Sequence, residues 1–245
     1  MTRRGLVVLV AATISATATA RLGWWQLDRA EQKNDLQAAL DTRRALPPLA
    51  ASMLALDIAA AAAQHHRAIR LEGQWMADAT VYLDNRQMNG KPGFFAVTPL
   101  LLADGTAVLV QRGWLPRDMA ERTRVAAPQL PAGMVQVEGR IAPPPARLYE
   151  FEGAASGTIR QNLNLDVFAR ELSKNLRPLS VLQEEGKAPL ADGLLRQWPQ
   201  PAATVHKHYG YAFQWFALSA LILGLYAWFQ LVRPRILPDQ AAHGS

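Results

Sequence analysis

From Tyr209 to Val232 the chain reads YGYAFQWFALSALILGLYAWFQLV, without one Asp, Glu, Lys or Arg. A helix that crosses a bilayer needs about 20 mostly apolar residues, and a buried helix of a soluble core rarely goes that far uncharged. Tyr209, Tyr211 and Trp215 mark one end of the run, and Tyr226 and Trp228 the other. Amphipathic rings are enriched in this way at both faces of a membrane. The segment predicts a C-terminal transmembrane helix over 208–232 and a short tail over 233–245.

The N-terminus carries a second apolar run, Gly5 to Ala20, behind Arg3 and Arg4. Arg21 interrupts it before LGWWQL resumes the apolar character. Two readings fit these residues. One is a cleaved signal peptide, with Ala18-Thr19-Ala20 as the small-residue cleavage site and the Arg pair as a twin-arginine signal. The other is an uncleaved anchor over 1–25, with Arg21 reaching to the interface beside Trp24 and Trp25.

Arg3, Arg4, Arg233 and Arg235 lie outside the two apolar runs, so the positive-inside rule places both termini in the cytoplasm. The intervening region, 26–207, then lies on the far side of the membrane. The net charge of +6 and a pI near 10 first suggest nucleic acid. The excess sits mainly at the membrane flanks, however, and the region between mixes Arg122, Arg124, Arg43 and Arg44 with acids. No nucleic-acid partner is expected; membrane lipid is. The chain has no cysteine, which excludes disulfide scaffolds, thiolate copper delivery and cysteine-ligated metal sites.

Between the anchors the pattern predicts an α+β domain, mainly antiparallel β with a few helices. Asp28 to Asp41 reads as a helix running on from the first anchor and stopped by Pro47-Pro48. Leu49 to Gln64 reads as a second short helix. Strands are expected at RAIRLEGQW, ATVYLDNR, Met134–Ile141, Thr158–Leu163 and Leu179–Gln183, with a short capped helix at 164–173. The clearest element is GFFAVTPLLLADGTAVLVQRGWLP, two strands joined at Asp104-Gly105. Turn geometry accounts for Gly90, Gly93 and Gly105 better than phosphate binding does.

No GxSxG, Walker loop, HExxH or GxGxxG is present, so no familiar catalytic signature stands out. His65-His66 read as solvated surface, and His243 sits in the terminal AAHGS. His206 and His208 fall just before the second apolar run. Neutral imidazoles there can ligate a metal or haem iron, or simply be polar residues at a helix end. Trp24 and Trp25 on one side, and Tyr209, Tyr211, Phe213, Trp215 and Phe216 on the other, fall at one predicted membrane level. They can line a cleft for a flat apolar ligand or serve only as belt anchors.

Four stretches together resemble the Surfeit locus protein family, membrane proteins that help assemble cytochrome c oxidase. LGWWQLDRAEQK is similar to the family's LGxWQLxR…K block. KPGFFAVTPL and VLVQRGWLP are similar to its TPL and RGW blocks, and HKHYGYAFQWFALS to the block that opens its second helix. They stand in family order across nearly the whole chain. The resemblance favours the uncleaved anchor, because the family's WQL block follows directly from a retained helix. It implies two membrane helices in a hairpin around one extracytoplasmic domain, in the inner (plasma) membrane with the domain periplasmic.

The resemblance further implies a non-enzymatic role in supplying haem a to the oxidase catalytic subunit, beside haem a synthase. Carried over by position, His208 matches the motif histidine and is the first choice for an axial ligand of haem iron. Tyr211 and Trp215 match the motif's Tyr and Trp, and Trp24 and Gln26 its WQ pair. Arg112, Gly113 and Trp114 match the RGW turn. His206-Lys207 replaces the motif's Asn pair and Gln214 its Thr, so His206 competes with His208. Arg21 and Lys207 are candidates to meet the haem propionates. The alternatives are a scaffold for an oxidase assembly intermediate that binds no haem, and an unrelated membrane-anchored hydrolase or sensor.

Overall fold

The computed structural model describes residues 2–118, 120–121, 125, 129–149, 157–186, 190–199 and 204–233. The tail beyond Arg233, with Arg235 and His243, lies outside these residues, as do Arg122 and Arg124. The chain divides into two compact units, one of Met1–Ala39 with Pro199–Ser245 and the other of Leu40–Trp198.

The first unit is a pair of helices. α1 spans Arg3–Ala45, 43 residues without a break. At about 1.5 Å per residue it is roughly 65 Å long, twice what the hydrocarbon core of a bilayer requires. Its C-terminal half is the helix expected from Asp28 to Asp41, and Pro47-Pro48 follows its end. The partner helix, α4 once α2 and α3 are counted below, spans Val205–Ala227 and widens into a π turn at Trp228–Val232. Both helices contain windows apolar enough to cross a membrane, of mean hydropathy 1.6 and 1.7.

The two helices run antiparallel. Ser219 Oγ donates to the Ala16 carbonyl at 2.9 Å, and Lys33 meets Thr204 at the other end. Within this unit the buried positions are Ala16, Thr19, Gly23 and Ala30 on α1, and Val205, Ala212 and Ser219 on α4. Spacings of three, four and seven residues are those of a helix–helix seam. Small residues let two backbones approach closely in lipid, where no hydrophobic drive holds helices together. A Cβ on Gly23 would stand 2.8 Å from the Phe216 ring.

The second unit is built on eight strands: β1 Leu49–Ala50, β2 Ala68–Trp75, β3 Val81–Met88, β4 Lys91–Leu102, β5 Ala107–Pro116, β6 Met134–Ala142, β7 Ile159–Arg160 and β8 Leu176–Gln183. Pairing runs β2–β6–β8–β5–β4, and β4 pairs back with β2. Five strands thus close on themselves, which removes the open edges a flat sheet would leave. Four of the five junctions are antiparallel and β5–β8 is parallel. β1 and β7 also join in parallel, to β2 and β3. The sheet is therefore mixed, but its long pairings are antiparallel, in keeping with the mainly antiparallel sheet that the hairpin-rich sequence predicts.

Alternate residues of the closed strands fill the interior. Ile69 and Leu71, Leu100 and Leu102, Val108 and Val110, Val137 and Ile141, and Leu179 and Val181 form one buried cluster. Each such side chain contributes about 1.5–3 kcal/mol on burial. The outer face at β3–β5 carries Val81, Leu83, Val97 and Leu109 and is covered by α3, Leu165–Leu172, through Phe168. Asn164 caps α3 by accepting from the Asp166 and Val167 N–H groups.

Two sequence expectations change. Leu49–Gln64 is not one helix: Leu49–Ala50 pairs with β2, and only α2, Ile58–Gln64, is α-helical. The Gln64 amide bonds Ala55 N and Met53 O, tying down the intervening chain. Thr158–Leu163 contributes only the two residues of β7. The Asn89–Gly90 turn, with φ of 52° and 75°, has the left-handed pair that closes β3–β4.

Candidate functional site

On α1, Gln26 follows Gly23 by one turn along the seam; on α4, His208 precedes Ala212 by one turn. Their side chains meet: His208 Nδ1 lies 2.7 Å from Gln26 Oε1. An amide oxygen can only accept, so this pairing places the ring proton on Nδ1 and the lone pair on Nε2. That arrangement, one ring nitrogen held by an oxygen acceptor and the other left to donate, is how metal-binding histidines are oriented. Nε2 makes no hydrogen bond among the described residues.

The level of this pair follows from helix rise. Gln26 stands about 33 Å along α1 from Arg4, and His208 about 37 Å along α4 from Arg233. Both therefore sit at the end of the apolar spans away from the basic flanks. Further along, the seam turns polar. Asn34 donates to the Tyr209 hydroxyl at 3.3 Å, and Lys33 Nζ donates to Thr204 Oγ1 at 2.5 Å.

The other candidate residues spread around the pair. Trp24 is 61% exposed, but one edge meets the Phe216 ring at 5.8 Å and an interplanar angle of 84°. Trp215 is half-buried, seven residues from His208 and so on the same face of α4. Tyr211 is 52% exposed. His206 is exposed; two residues from His208, it points to nearly the opposite side of the helix. The two histidines therefore do not converge. Arg21 and Lys207 are also exposed. Lys33, Asn34 and Thr204 join the candidates only through the structure, although Lys33 carries a sequence signal: it lies one heptad beyond Gln26 and is the Lys of the WQL block.

The RGW residues belong to the barrel. The β4–β5 register slips between Ala96 and Val97, leaving Arg112 as the extra residue of a β-bulge. Its side chain is 3% exposed, pairs with Asp192 at 3.1 Å and lies 5.5 Å over the Trp75 ring. Asp192 also holds Arg196, at 2.5 Å. Burial lowers the Arg112 pKa despite this carboxylate. Burial raises the Asp192 pKa, but hydrogen bonds from Arg196 and the Leu194 N–H, with both guanidinium charges, bring it below its usual value.

Gly113 lets a second segment approach, for a Cβ there would meet Leu194 Cβ at 2.7 Å. Trp114 then exchanges backbone hydrogen bonds with Leu195 at 2.7 and 2.8 Å, and its Nε1 donates to the Arg86 carbonyl. Its ring covers Gly93, where a Cβ would lie 2.5 Å from the indole. Gly93 thus serves a close approach within β4 rather than the turn expected of it. The motif fastens 192–198 to the barrel.

His65 and His66 are half-buried. Burial lowers both pKa values; Arg43 adds to this at His65, and Arg140, His65 and Arg43 add to it at His66.

Residues 13–220 match the model of the SURF1 family. A SURF1-like protein of Rickettsia bellii is 25% identical over 208 residues, 84% of this chain and 83% of the relative. One from Monosiga brevicollis is 26% identical over 221 residues, covering 84% and 80%. The cytochrome oxidase assembly protein SHY1 of Saccharomyces cerevisiae is 29% identical over 99 residues, 40% of this chain and 25% of that protein.

Proposed function

The chain belongs to the SURF1 family, and on that premise we propose that it is an assembly factor, not an enzyme, for a haem-copper cytochrome c oxidase. In this reading it handles haem a as cargo for the catalytic subunit and works beside haem a synthase. Two helices hold it in the inner membrane, with both termini cytoplasmic and the barrel periplasmic.

The observation that carries the haem reading is the Gln26–His208 hydrogen bond at the end of the apolar seam. Haem a is flat and apolar over most of its surface, and its iron suits an imidazole ligand. The donor set fits. His208 offers Nε2, and Gln26 fixes the tautomer. Trp24 and Tyr211 supply aromatic surface within about a turn of the pair, and Trp215 adds more two turns further into the apolar span, where a membrane-borne ligand arrives. His208 holds the iron in this reading, His206 being turned away, and Gln26 keeps the imidazole oriented while cargo is exchanged.

The test is to purify the full chain from cells that make haem a and record its absorption spectrum. Wild type is expected to carry haem a, His208→Ala to lose the ligated spectrum, and His206→Ala to keep it. Absence of haem a from wild type would defeat the cargo reading. Should oxidase assembly survive His208→Ala yet fail when the barrel is disrupted, the protein is a scaffold that binds no haem.

A further inference from the structure

We infer that Lys33 is the residue that pairs with a carboxylate of the ligand held at the His208 seam; this rests on the haem-handling reading above. Lys33 lies seven residues from Gln26, two turns of α1, so the two share a face about 10 Å apart along the axis. Its ammonium is half-buried and donates to Thr204 Oγ1 at 2.5 Å. A hydroxyl accepts that bond without neutralising the charge. Asp28, Glu31 and Asp35 stand nearby on α1, yet none forms an ion pair with Lys33 among the described residues.

A half-buried cation with no acid beside it has lost part of its hydration, and a docked anion compensates that loss with a charge-assisted hydrogen bond. Its position fixes the class of anion. On one side, at the apolar end of the seam, stands the imidazole with its aromatic neighbours. Two turns away, where the seam is polar, stands the ammonium. A ligand that spans both has a flat apolar body and acidic groups along one edge, as a porphyrin dicarboxylate does. Arg21 and Lys207 are cations of the same region, but both are exposed. Arg21 precedes Gln26 by five residues, which puts it on a different face of α1.

The full chain in detergent micelles is titrated with metal-free protoporphyrin IX and, separately, with its dimethyl ester, following porphyrin fluorescence. Neither probe has iron, so ligation by His208 does not enter. Lys33→Gln is expected to weaken the diacid about tenfold and leave the diester unchanged, and Lys33→Arg to restore most of the loss. Equal weakening of both probes, no weakening of either, or no binding of the diacid by wild type overturns the assignment. Circular dichroism of Lys33→Gln shows whether α1 and α4 are intact. A separate titration of iron porphyrin against His208→Ala judges the ligand reading, so the two can fail independently.

Discussion

The imidazole of His208 and the amide of Gln26, 182 residues apart in the chain, are joined by one hydrogen bond of 2.7 Å across the α1–α4 seam. Neither residue alone would fix which nitrogen of the ring is free. Together they set the tautomer, and the antiparallel helices set the level at which it is presented.

Gln26→Leu keeps the volume but removes the acceptor. Haem binding to the full chain is expected to weaken by about 10-fold or more, the usual effect of losing an orienting partner. Unchanged affinity would mean that Gln26 only packs the seam.

Gly23→Leu forces a branched side chain against Phe216, whose ring stands 2.8 Å from the Cβ position. The helix pair is expected to open there. The native chain has no cysteine, so an Ala16→Cys/Ser219→Cys pair reports the seam without background. Cross-linking should be efficient in the otherwise native chain and fall several-fold with Gly23→Leu.

Asp192→Ala leaves two buried guanidinium groups, Arg112 and Arg196, without their shared carboxylate. The cost to the barrel is expected to be about 3–5 kcal/mol, measured by denaturant unfolding of the full chain in micelles. Arg112→Met should cost less, because Asp192 keeps Arg196 and a methionine fills the space beside Trp75.

Acid should act in two stages. His65 and His66 have folded pKa values below 6.5, so the unfolded chain takes up protons first and stability falls as pH drops through about 6.5. Asp192 and Asp104 are also depressed. Their contribution is complete above the unfolded value near 3.9 and is lost as pH falls below it. Asp104 is held down chiefly by the Thr106 hydroxyl and N–H, with Arg177 adding to the effect. A His65→Gln/His66→Gln variant should abolish the first stage alone in a pH series of thermal melts.

Much of this architecture is local and could be read from residue order. Charge-free runs, flanking arginines and aromatic belts define the two apolar helices. Pro47-Pro48 follows the end of α1, and alternating runs with Asn89-Gly90 and Asp104-Gly105 mark the hairpins. These signals depend on neighbours within a few residues, where propensity and periodicity act. The site was legible only as a set of candidates that includes His208 and Gln26, for nothing in their spacing joins them.

The remainder depends on contacts between distant segments. Barrel closure needs Gly73–Trp75 to pair with Leu100–Leu102, and the parallel β5–β8 junction pairs strands separated by the whole of β6, β7 and α3. Leu49–Ala50, in a helix-prone stretch, became a strand because β2 offered it a partner. His206 and His208 look alike in order, and only the direction of the seam separates them. Lys33 is one charge among many until α4 sets Thr204 beside it. Residue order thus determined the elements and the apolar character of the two long helices. Tertiary packing decided the partners, because a side chain's chemistry depends on what the opposite element brings within reach.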